Sequence, residues 1–80
     1  MVRIPVYLRD MYDAKHLVQI AESCENDVDL LCGRYMIDAK SMLGVLSLPM
    51  FEQVELEVND EDEDAVREKL ESFCLIRKIK

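Results

Sequence analysis

The chain has 80 residues, half of them hydrophobic and 34% charged, with a formal net charge of −7. A domain of this size hides only about 60–65% of its unfolded surface, so its core is adequate but small. The acidic balance argues against a nucleic-acid partner, because binding a phosphate backbone rests on lysine and arginine releasing counterions. No run of about 20 apolar residues marks a membrane span, and no basic, apolar leader marks a secretory signal.

Taken in chain order, Val2, Ile4, Val6 and Leu8 alternate with Arg3, Pro5, Tyr7 and Arg9, the period of a half-buried strand. Pro5 has no N–H to donate, which assigns this strand to an edge or turns its missing donor outward. Met11, Ala14, Leu17, Val18, Ala21 and Cys24 then recur every three or four residues, predicting an amphipathic helix over about 12–25. Asp10 is placed to cap it, and Asp13 adds negative charge in the first turn, where the helix dipole favours it.

Val28, Leu30 and Cys32 alternate again, Gly33-Arg34 supplies a tight turn, and Tyr35, Met36 and Ile37 begin a returning strand. Ser41 stands at an N-cap position before a short helix carrying Met42, Leu43, Val45, Leu46 and Leu48 and ending near Pro49. Val54, Leu56 and Val58 alternate with Glu55 and Glu57 as a fourth strand. The acidic run Asp60 to Asp64 opens a last helix whose inner face is read as Ala65, Val66, Leu70, Phe73 and Cys74. The tail from Leu75 to Lys80 alternates apolar and basic residues, a pattern that suits an added strand or a frayed end.

The order β-α-β-β-α-β-α, with one apolar face per strand, predicts an α+β two-layer sandwich. Its expected form is a four-stranded antiparallel sheet covered on one face by three helices, in one domain over residues 1–80. No repeat or linker interrupts the chain. The odd cysteine count, with no CxxC pair, suits a reducing cytoplasm, and all three thiols are read as buried small apolar residues. No metal-ligand cluster, phosphate loop or nucleophile–base pair points to an enzyme, a metal or a cofactor.

The segment from Ile37 to Leu48, with Lys40-Ser41-Met42-Leu43-Gly44 at its centre, resembles the region that carries the regulatory serine in HPr. HPr is the histidine phosphocarrier of the bacterial sugar phosphotransferase system. The likeness runs without a gap from about Val18 to Leu48 and continues through Val54 to Val58 and the acidic run. Counted back from Ser41, the family's motif Gly-Leu-His-Ala-Arg-Pro-Ala falls on Leu8-Arg9-Asp10-Met11-Tyr12-Asp13-Ala14. The resemblance therefore puts Asp10 at the phosphorylated histidine, Tyr12 at the arginine and Asp13 at the proline.

It implies an open-faced HPr-like sandwich and a member of the family without its carrier chemistry. Ser41 becomes the candidate for regulatory phosphorylation, and Met42, Leu43, Leu46 and Tyr12 the candidates for a partner-binding patch. The implied partners are proteins: an HPr-type serine kinase and a transcriptional regulator of carbon use. Two other readings stand beside it, a phosphoryl carrier with Asp10 or His16 as a non-standard acceptor, and an unphosphorylated structural or oligomerisation partner. His16, the only histidine, lies two turns into the helix and is read as a solvated surface residue.

Overall fold

The computed structural model describes residues 1–48 and 53–76. The alternation at the start of the chain forms β1 (Val2–Tyr7), with Ile4 and Val6 buried. Helix α1 (Met11–Glu22) follows, then β2 (Asp29–Cys32) and β3 (Tyr35–Asp38). Helix α2 (Met42–Leu46) precedes β4 (Gln53–Val58), and a 3-10 turn over Asp60–Asp62 leads into α3 (Glu63–Ser72). The sheet order is β1-β4-β2-β3, with antiparallel neighbours throughout. Pro5 thus lies on an edge strand, where a missing donor leaves no gap in the ladder.

The register brings Ile4, Leu56, Leu30 and Ile37 into one row across the sheet. These side chains meet Ala14, Leu17, Val18 and Ala21 of α1, Val45 of α2, and Val66 and Leu70 of α3 in one buried cluster. Full burial of one such leucine or valine side chain is worth about 1.5–3 kcal/mol, so this shared face is what assembles the two layers. The opposite face carries Arg3, Glu57, Asp29 and Asp38 in one row and Pro5, Glu55, Leu31 and Met36 in the next.

Three turns shape the frame. Gly33 takes a φ of +60° while Arg34 stays out of the positive region, the signature of a type II′ hairpin turn. Gly44 meets a different demand: a Cβ built there would lie 2.7 Å from Cγ2 of Ile37, so α2 sits close on β3 only because this position lacks a side chain. The end of α3 is a Schellman motif. The Cys74 N–H donates to Glu71 O at 3.0 Å and the Leu75 N–H to Leu70 O at 2.9 Å, with Cys74 at φ 59°.

That turn corrects the reading of the last helix. Helical spacing carried Phe73 and Cys74 onto its inner face, but the helix stops at Ser72, both residues are exposed, and Leu75 turns into the core instead. Ala65 is exposed as well, and Val66 and Leu70 are the buried positions of α3. Met11, expected on the inner face of α1, is exposed at that helix's first position. Of the thiols read as buried, Cys24 and Cys32 are half-buried and Cys74 is exposed. The tail begins as an edge contact, since the Tyr7 N–H donates to Leu75 O at 2.8 Å. Pro49 and residues 77–80 lie outside the described residues.

Candidate functional site

The first candidate cluster forms where β1 hands over to α1. Asp10 is extended (φ −158°, ψ −174°), and its Oδ1 accepts from the N–H groups of Tyr12 at 3.0 Å and Asp13 at 3.1 Å. These are donors that a helix start leaves unpaired, so the carboxylate occupies the electropositive end of α1. Three residues on, Asp13 is buried, although a lone carboxylate there would be costly. Its partner is Arg9, whose backbone N–H and Nε both donate to Oδ2 at 2.9 Å, with Nη2 donating to Oδ1 at 3.3 Å. The side-chain hydrogen bond from Arg9 holds the Asp13 carboxyl below the usual range, against the opposing effect of burial.

Tyr12 points outward, 71% exposed, with Lys15 Nζ 5.8 Å from its ring centre. His16 differs from its sequence reading. It is half-buried, and its ring stacks on Phe73 with centroids 4.1 Å apart at 17°. The two are 57 residues apart in sequence, a pairing that periodicity within α1 cannot reveal. Asp10, Tyr12 and Asp13 are therefore drawn together by one capping carboxylate, while His16 is held against the end of α3.

The second cluster lies on α2. Ser41 caps this helix, its Oγ accepting from Gly44 N–H at 3.2 Å, and its own N–H donates to Asp38 O at 3.0 Å. Lys40, adjacent to Ser41, directs its ammonium elsewhere: Nζ donates to Cys24 O at 2.9 Å and closes the chain end of α1. The apolar residues after Ser41 divide between two tasks. Val45 is buried, Met42 and Leu46 pack partly against the core, and Leu43 stands 84% exposed. Helices α1 and α2 pack on each other, so both clusters belong to one layer of the molecule.

Arg9 is the residue that the sequence reading missed. Its spacing of four from Asp13 is the signal, but the pair straddles a strand–helix junction, where i,i+4 logic is not normally applied. Among the described residues, no group of three or more His, Cys, Asp and Glu side chains is arranged to hold a metal ion. No helix among them is long and apolar enough to cross a membrane.

A sequence model of the family described as the PTS HPr component phosphorylation site matches residues 11–74. The chain belongs to the HPr family. No curated protein matches it by sequence. Among solved structures, the fold is similar to the crystal structure of HPr-C-His from Thermoanaerobacter tengcongensis, with a TM-score of 0.73. The two are 20% identical, over 91% of this chain and 90% of that one. The open four-stranded sheet with its three helices is thus an HPr fold, and the HPr family match opens at Met11, the first residue of α1.

Proposed function

We propose that this chain is a non-catalytic, regulatory member of the HPr family that acts by binding other proteins, with Ser41 as its phosphorylated residue. The observation that carries the reading is the state of the α1 start. Two of its amides are already satisfied by the Asp10 carboxylate, and the nearby guanidinium of Arg9 is committed to Asp13. A phosphoryl group arriving there would meet occupied donors and two carboxylates, an arrangement that repels further negative charge. With Asp10 at the position the resemblance gives to histidine, a permanent single charge stands where the family carries a transient phosphate.

Ser41 offers the contrasting environment. Phosphorylation would add about −1.5 to −2 charges next to the first amides of α2, where negative charge is favoured. The neighbouring Leu43 is exposed, and Met42 and Leu46 extend the apolar surface toward the core. With Tyr12, these residues are the proposed docking patch for an HPr-type serine kinase and a transcriptional regulator. The proposed compartment is the cytoplasm, consistent with three free cysteines.

Intact-mass analysis after incubation with ATP and an HPr serine kinase tests this reading. One phosphate on the wild type and none on Ser41→Ala is the expected result. A wild type that stays unmodified, or a Ser41→Ala variant that still takes phosphate, would overturn it.

A further inference from the structure

The two edges of the sheet are finished differently. On β1, Pro5 has no N–H to offer a further strand, and the Tyr7 N–H is already given to Leu75 O at 2.8 Å. On β3, the Ala39 N–H donates to Val28 O at 2.9 Å, which places Tyr35, Ile37 and Ala39 in the hydrogen-bonded pairs with the preceding segment. The alternate residues Met36 and Asp38 therefore turn their backbone groups away from β2. The Asp38 C=O accepts from the Ser41 N–H at 3.0 Å and its Oδ1 from the Lys40 N–H at 2.9 Å, which leaves the Met36 N–H and C=O and the Asp38 N–H as the groups this edge offers. Met36 is 65% exposed and Tyr35 54% exposed, and Arg34 makes no ion pair among the described residues. An edge of this kind is a template for another strand.

We propose that the β3 edge binds a second copy of this chain, by antiparallel pairing of Tyr35–Asp38 about a two-fold axis at Met36. In this register the outward N–H and C=O of Met36 meet their own counterparts, and Tyr35 of each copy faces Ile37 of the other. Arg34 of each copy then faces Asp38 of the other, so the contact is closed by two identical pairs of opposite charge. Moving the axis to Ile37 would set Arg34 against Lys40, and moving it to Tyr35 would set Arg34 against Met36. Charge selects the Met36 register.

The acidic row across the open face gives the same pairing a second reason. Asp38 adjoins Asp29, and Asp29 adjoins Glu57, in this row, where Arg3 Nε meets only Glu57 at 3.2 Å. Burial, followed by the charges of Glu57, Asp38 and Asp27, pushes the Asp29 carboxyl up. Lys40 gives this row no relief, since its ammonium is bound to Cys24 O. Arg34 from a second copy supplies a cation at the row's open end. The result is a continuous eight-stranded sheet, built on four residues per copy and therefore dependent on concentration.

Sedimentation of the wild type, Arg34→Asp, Asp38→Arg and the double variant, each checked for folding by circular dichroism, tests the register. The expected result is a wild-type dimer that strengthens with concentration, weakens at least tenfold in each single variant and is restored in the double one. A wild type that stays monomeric up to about 1 mM would overturn the proposal. So would a dimer indifferent to both reversals, or a folded double variant that does not recover. Amide exchange on the unaltered chain supplies a readout that needs no variant. The Met36 N–H is expected to slow as concentration rises, and an unchanged rate in a dimerising sample would place the interface elsewhere.

Discussion

Arg9 and Asp13 are joined by three hydrogen bonds across the junction of β1 and α1, two at 2.9 Å and one at 3.3 Å. Because one donor is the Arg9 backbone N–H, the pair fixes the path of the chain as well as balancing a buried charge. The segment that leaves β1 and the first turn of α1 are thereby held as one unit. That unit contains Asp10.

Removing the acceptor should loosen it. Asp13→Ala is expected to lower stability by roughly 1–2 kcal/mol, less than for a fully buried ion pair because the guanidinium stays in water. Urea unfolding followed by circular dichroism measures the loss, and an unchanged midpoint would remove Arg9–Asp13 from the account.

The acid response has two parts of opposite sign. Asp13 has its folded pKa depressed, chiefly by the side-chain bond from Arg9, so its contribution is complete above the unfolded pKa of about 3.9 and is lost as pH falls through the folded value. Asp29 has its folded pKa raised, chiefly by burial, so its penalty is present when it is ionised and disappears as it takes up a proton. Asp29→Asn should therefore stabilise the protein at pH 7 by roughly 0.2–1 kcal/mol, the scale of like charges facing across strands, and lose that advantage in acid. Unfolding midpoints followed from about pH 7 to pH 2 should show the Asp13→Ala deficit constant above about pH 5 and shrinking only below it.

Asp10 is predicted to act as a cap irrespective of its evolutionary position. Asp10→Ala should cost about 1 kcal/mol, while Asp10→Asn, which keeps an acceptor oxygen, should cost much less. Equal losses in the two variants would show that charge, not the cap bonds to Tyr12 and Asp13, is what matters there.

Gly44 is the position where the candidate regulatory segment leaves least room. A methyl group there must displace Ile37 Cγ2 from 2.7 Å and crowd Ser41 Oγ at 3.3 Å. Gly44→Ala is expected to destabilise by about 1–3 kcal/mol, as overpacking does, with chemical-shift changes concentrated at Ile37 and Ser41. A neutral or stabilising effect would mean that α2 can lift from β3 without cost.

The features written in local spacing were legible from the residues alone. Pro5 marked an edge or an outward donor, Asp10 and Ser41 marked helix starts, and the alternation of Val54, Leu56 and Val58 marked a fourth strand, though not its place inside the sheet. What escaped depends on contacts between distant segments or on how a helix ends. The Phe73 ring faces His16 only because Cys74 adopts a positive φ and stops α3, and helical periodicity cannot announce a left-handed residue that is not glycine. Lys40 adjoins Ser41 in sequence, yet its long side chain reaches a carbonyl 16 residues earlier in the chain. Asp13 was legible as a first-turn acid but not as a buried one, since its burial is matched by Arg9 in the segment between β1 and α1.

The most direct test of the central claim is phosphoryl transfer from phosphoenolpyruvate through enzyme I of the phosphotransferase system, read by intact mass under conditions that preserve labile phosphates. With Asp10 seated on the amides of Tyr12 and Asp13, the wild-type chain should gain no phosphate while an active HPr in the same mixture gains one. A phosphate recovered on Asp10 or His16 would contradict the account and return this protein to the carriers.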